Sequence, residues 1–180
     1  MEPGVDRTGP VPRIMLLGMM GSGKSSVGSA LGDATGWPFV DNDALVERAT
    51  GRTARELLAV GGVDAMREAE SAALRAGLAI RPPAIVATAA GTVLRADDRE
   101  LIAGGGLVAW LRATAAVLAA RATGADHRPW LEDDPLGWFE RALAERDPLY
   151  ASIADIAIDT GTSSPAQAAE AILARCSAGG

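Results

Sequence analysis

The chain has 180 residues, a net charge of −6 at neutral pH, 48% hydrophobic residues and few aromatics (4%), which suits one domain with a single aliphatic core. The acidic balance excludes the broad basic footprint of a nucleic-acid binder, so a phosphate ligand has to be met by a local cluster of donors. No apolar run reaches the length of a membrane span, no basic-then-apolar signal pattern opens the chain, and the single cysteine, Cys176, excludes an internal disulfide and fits a reducing cytoplasm.

Residues 1–10 are rich in Gly, Pro and charge and read as a disordered leader, ahead of one domain over 11–180. Residues 13–17 form a short apolar run, the pattern of a buried parallel strand. Gly18, Gly23, Lys24 and Ser25 then fit G-x-x-x-x-G-K-[ST], between that strand and an apolar-periodic helix over 25–35 that stops at Gly36. Glycines let successive main-chain N–H groups point into one concavity, and the helix N-terminus adds partial positive charge. Gly18, Gly21, Ser22, Gly23, Lys24, Ser25 and Ser26 are therefore candidate nucleotide-binding residues, with Lys24 reaching the β- and γ-phosphates and Ser25 binding Mg²⁺. Of the 17 Lys and Arg residues, Lys24 is the one lysine. A compositional bias toward arginine accounts for the rest, and the position that escapes it is one where a compact point charge is wanted. The motif establishes nucleotide binding and leaves the fate of the phosphate open.

A second strand is expected over 37–40, ending at Asp41. Helices follow over 44–50, 54–60 and 63–80, punctuated by Gly51 and Gly61-Gly62 and stopped by Pro82-Pro83. Next come a third strand over 84–88, a short helix over 97–103, a fourth strand over 107–111, and a helix capped by Thr114 and reaching 122. Residues 123–134 are polar and irregular and read as a mobile loop. A helix over 136–145, a fifth strand over 153–158 and a last helix capped by Ser164 complete the chain. Strands separated by helices imply parallel pairing in an α/β layer architecture. Cys176 reads as an inert residue of the last helix. His127, the only histidine, has no evident metal partner and reads as a loop-surface residue.

Four further stretches carry a family resemblance. Asp41-Asn42-Asp43 through Glu47, with Thr50-Gly51-Arg52-Thr53, is similar to D-x-D-x-x-I-E…T-G-R-[ST]. Met66-Arg67-Glu68-Ala69-Glu70 is similar to F-R-x-x-E, Arg128-Pro129-Trp130-Leu131 to R-P-L-L, and Arg146-Asp147-Pro148-Leu149-Tyr150 to R-x-P-L-Y. With the phosphate loop, these resemble the shikimate kinases, in the nucleoside-monophosphate-kinase-like branch of P-loop proteins, over roughly residues 14–174. The resemblance implies a three-layer α/β/α fold, a five-stranded parallel sheet in the order 2-3-1-4-5, and a lid over about 123–134. It implies ATP and Mg²⁺ as cofactors and shikimate as the acceptor, in aromatic amino-acid biosynthesis, by a cytoplasmic monomer with no nucleic-acid or membrane partner.

By the same match, Asp41 supports Mg²⁺ with Ser25, and Asp43 holds acceptor hydroxyls. Arg67 and Arg146 clamp a carboxylate, and Arg67 is fixed by an i,i+3 pair with Glu70. Arg128 closes over the phosphates, and Arg121 and Pro165 lie on the adenine side. Lys24, Asp43 and Arg128 are thus the expected catalytic residues. Without the family, Asp41 and Asp43 serve equally well as helix caps, and Arg67 and Arg121 as exposed arginines. The chain departs from the pattern at Ala89-Ala90-Gly91, where the family has Gly-Gly-Gly in contact with the acceptor, and at Val63, Met66 and Trp130. Two methyl groups at 89 and 90 enter where close backbone approach and unusual dihedrals are expected. A related kinase acting on gluconate or a nucleotide, or a nucleotide-binding protein without turnover, therefore stays open.

Overall fold

The computed structural model describes residues 13–122 and 134–178. The first strand, β1 (Arg13–Leu17), is buried throughout. It pairs in parallel with β3 (Ala84–Ala87) on one side and β4 (Leu107–Arg112) on the other. β2 (Phe39–Asp41) flanks β3 and β5 (Ile156–Asp159) flanks β4, which completes the expected order β2-β3-β1-β4-β5.

Side-chain alternation along the strands divides the core in two. Met15 and Leu17 face a layer with Val86, Val108 and Trp110, covered by Leu74, Ile102, Leu118 and Phe139. Those covering residues belong to α3 (Ala54–Leu78), α4 (Ala96–Gly104), α5 (Ala115–Ala122) and α6 (Pro135–Ile153). Ile14 and Leu16 point the other way, against Val27 and Leu31 of α1 (Lys24–Thr35) and Ile172 of α7 (Pro165–Ser177). Full burial of each Leu or Ile contributes about 1.5–3 kcal/mol, so a sheet apolar on both faces needs helices on both. The short α2 (Asn42–Thr50) packs on α3 through Leu45, Val46 and Ala73. Among the described residues, no helix is long and apolar enough to cross a membrane.

Several boundaries differ from the sequence expectation. β2 starts at Phe39 rather than at 37, because Pro38 has no N–H for the ladder and contributes only its carbonyl, to Ile85 N at 2.9 Å. The helices expected over 54–60 and 63–80 form one kinked element, broken at Gly62 (φ 74°, ψ −173°) and ending at Leu78. The helix expected to stop at 145 runs on to Ile153 through Pro148, and β5 begins at Ile156 instead of 153. An interior proline costs about 3 kcal/mol, but Phe139, Ala142, Arg146 and Tyr150 form one buried stripe that packing keeps helical. A 3₁₀ turn at Thr92–Leu94 was not foreseen. Ser164 does cap α7: its hydroxyl accepts from Gln167 N, and the Gln167 side chain answers on the Ser164 N–H.

Candidate active site

The carboxyl ends of β1, β2 and β3 lead into the phosphate loop, Asp41 and the 89–91 turn, on the side where open α/β sheets hold their ligands, while Arg67, Arg121 and Arg146 come from α3, α5 and α6. β1 leads into Gly18, which turns at φ 142°. A Cβ there would overlap the Leu111 carbonyl, so glycine alone fits. Lys24 opens α1, and its ammonium donates to the Gly18 and Met19 carbonyls at 2.8 and 3.0 Å. Burial holds the Lys24 pKa below the ordinary lysine value, and the charges of Asp43, Asp41 and Glu70 oppose that shift.

Ser25 Oγ donates to Asp41 Oδ2 at 2.7 Å. The other Asp41 oxygen accepts from Asp43 N at 3.1 Å and caps α2. Asp41 is thus the helix cap and also the partner of the phosphate-loop serine. Gly21, Gly23, Lys24, Ser25 and Ser26 line a cavity of about 530 Å³, which Asp41 and Asp43 also border. Arg121 and Pro165 complete the expected nucleotide residues at this cavity. Gly18 and Ser22 are buried behind its wall.

Of the residues expected on the acceptor side, Asp43 borders that cavity, while Arg67, Gly91 and Arg146 lie outside its lining. Arg67 Nη1 donates to Glu70 Oε2 at 2.5 Å, one turn along α3. Burial raises the Glu70 pKa, and the Arg67 guanidinium pulls it back. That guanidinium lies directly over Gly91, in the place a Cβ would take. Arg146 is buried on α6, with Nη1 3.6 Å from Met19 Sδ and its guanidinium 5.9 Å from the Trp138 ring centre. Tyr150 Oη donates to the Ala90 carbonyl at 2.7 Å. Among the described residues, none other than glycine has a positive φ, so Ala89 and Ala90 sit in ordinary backbone. The unusual dihedrals expected there are not needed. A Cβ at Gly91 would meet the end of the Arg67 side chain, so a larger residue there has to displace that guanidinium. Arg128, His127 and Trp130 lie outside the described residues.

The motifs did not mark Met19 as a contact of Arg146, nor Thr160, whose hydroxyl donates to the Ser22 carbonyl at 2.8 Å. The signal for Thr160 was slight: a polar residue at a strand end, Asp159-Thr160-Gly161.

A glycine-rich loop joining the central strand to a helix, a lysine at the helix head and a Ser–Asp oxygen pair beside it define a P-loop kinase of the three-layer α/β/α type. Comparison with known proteins narrows the class. The sequence model of the shikimate kinase family matches residues 20–177. The shikimate kinase of Symbiobacterium thermophilum is 41% identical over 82% of this chain and 86% of its own length. That of Cupriavidus pinatubonensis is 36% identical over 90% and 84%. The structure of shikimate kinase from Acinetobacter baumannii in complex with shikimate superposes with a TM-score of 0.85 at 31% identity, covering 91% of each chain. The chain belongs to the shikimate kinase family.

Proposed function

We propose that this protein transfers the γ-phosphoryl group of ATP to shikimate, giving shikimate 3-phosphate, as a cytoplasmic monomer. The observation that carries the reading is the juxtaposition of two arginines of low exposure, Arg67 and Arg146, with Asp43 and Lys24 at the same sheet edge. A neutral sugar would bring these two guanidinium groups no anion beyond Glu70 and Glu145, their neighbours on the same helices. An acceptor with a carboxylate at one end and hydroxyls at the other uses all of them.

In this reading the phosphate loop and Lys24 hold the β- and γ-phosphates. Ser25 and Asp41 offer two hard oxygen donors 2.7 Å apart at the cavity wall, a set that fits Mg²⁺, which prefers one or two protein oxygens plus phosphate and water. When bound, Mg²⁺ supplies charge neutralisation across the phosphates. Arg67 and Arg146 orient the acceptor by its carboxylate. Asp43 accepts a hydrogen bond from the attacking hydroxyl and takes its proton as the O–P bond forms. A loose phosphoryl-transfer transition state asks little of a base, so positioning and charge stabilisation dominate. Arg128 is assigned to the moving phosphoryl group, and Arg121 with Pro165 to the adenine side.

The test is a coupled ADP-release assay with shikimate, gluconate and nucleoside monophosphates offered separately. ADP release dependent on shikimate is expected. Release with another acceptor and none with shikimate refutes the acceptor, and ATP binding without release on any of them refutes the enzyme.

A further inference from the structure

The phosphate loop can be read carbonyl by carbonyl. Lys24 Nζ takes those of Gly18 and Met19, and the Val27 N–H takes that of Gly23 at 2.9 Å. The Gly21 carbonyl accepts from Arg121 Nη1 at 2.9 Å. The Ser22 carbonyl accepts from Thr160 Oγ1 at 2.8 Å. Thr160 follows β5 and is only 6% exposed. Its N–H donates to the Arg112 carbonyl at the end of β4 at 2.8 Å, and its hydroxyl lies 3.0 Å from the same oxygen. Its own carbonyl accepts from Arg121 Nη2 at 2.6 Å. One buried threonine thus joins β4, α5 and the phosphate loop, and it borders the nucleotide cavity as well.

The carbonyl of one residue and the N–H of the next share a rigid plane and point in opposite directions. Anchoring the Ser22 carbonyl therefore fixes where the Gly23 N–H points, and Gly23 lines the cavity. Anchoring the Gly21 carbonyl through Arg121 holds the preceding bend of the loop. We propose that Thr160 is a positioning residue for the nucleotide: its hydroxyl on Ser22, and its carbonyl through Arg121 on Gly21, keep the loop amides aimed at the polyphosphate before it arrives. Dipoles held in place in advance bind charge without a reorganisation cost. A free loop would have to order itself on the ligand. The inference rests on the nucleotide site proposed above.

Thr160→Val keeps the shape and removes the hydroxyl, and Thr160→Ser restores it. With ATP and shikimate, the valine variant is expected to raise KM for ATP about tenfold. Its Kd for ADP, by calorimetry, should rise in parallel, while KM for shikimate stays near the wild-type value. The serine variant should return both nucleotide constants to wild type. Wild-type nucleotide constants in the valine variant overturn the proposal. So does an equal rise in both KM values, or a serine variant as weak as valine. If circular dichroism shows Thr160→Val unfolded, Thr160→Ala replaces it, with the same expected and overturning results. Failure of the wild-type enzyme to turn over shikimate counts against the proposed function instead, so the two failures are distinct.

Discussion

Around the phosphate loop, the proposed nucleotide-binding residues fall within one short stretch, 18–26, and three of them are glycines. On the acceptor side, Arg67, Gly91 and Arg146 come from α3, the turn after β3 and α6, and their working groups are long side chains. The two arginines are also held differently. Arg67 is paired with a buried carboxylate, Glu70, at 2.5 Å. Arg146 meets a neutral thioether, with Glu145 3.6 Å from its Nε and largely exposed. A carboxylate fixes a guanidinium but spends part of its charge, whereas sulfur supports it and leaves the charge for an incoming anion. The proposed nucleotide half is thus set by local backbone geometry, and the proposed acceptor half by a convergence that single side chains can retune.

The hardest test of this contrast is Lys24→Ala, the one side-chain charge on which the backbone cradle depends. We expect kcat to fall roughly 10²–10³-fold with the fold intact, by ADP release and circular dichroism. Full activity would mean that main-chain amides suffice. Arg67→Ala and Arg146→Ala should each raise the shikimate KM about 10–100-fold, with a far smaller change for ATP. Equal losses for both substrates would erase the division into halves. Arg67→Ala should also destabilise the fold by up to about 3–5 kcal/mol, because Glu70 stays buried without its cation. The sign with pH follows from the raised folded-state pKa of Glu70. Protonation favours the fold, so the variant gains stability as pH falls through that pKa and loses it as pH rises. Adding Glu70→Gln should recover the stability and leave shikimate binding weak.

The same contrast explains what could be read from the residues alone. The 18–25 motif is contiguous, so strand, loop, helix and candidate ligands were legible together, and Gly36, Gly51 and Ser164 marked helix ends that the structure retains. The stop placed before Pro148 failed, because a local penalty was overridden by the burial of Arg146 and Tyr150. The Met19–Arg146 contact joins residues 127 positions apart, and Thr160–Ser22 joins residues 138 apart. No local pattern encodes such pairs. The motifs named Arg67 and Gly91 separately but could not show that one rests on the other.

That last pair gives a sharper test of the acceptor loop. Gly91→Ala places a methyl group where the Arg67 guanidinium lies, and should raise the shikimate KM about tenfold by pushing the arginine aside. Ala89→Gly and Ala90→Gly restore the family's glycines at positions that need no special backbone. They should leave the shikimate KM unchanged and cost about 0.4–1 kcal/mol of stability through a freer unfolded chain. If the glycine variants instead improved shikimate turnover, the methyl groups would be an obstacle and the native acceptor a different one.

The smallest effect expected is a shift with pH across the boundary between the halves. Lys24 titrates below the ordinary lysine value because burial disfavours its charged form, and Asp43 is the foremost of the carboxylates that hold the proton on. ATP affinity, which needs the ammonium, should therefore decline on the alkaline side before an exposed lysine would lose its proton. Asp43→Asn removes that support, so the decline should move to lower pH. Calorimetric titration of ADP between neutral and alkaline pH reads the shift directly, without a turnover assay that would also register the lost base. A decline unmoved by Asp43→Asn would mean that the acceptor-side carboxylate does not act on the phosphate lysine, and that the two halves are electrostatically independent.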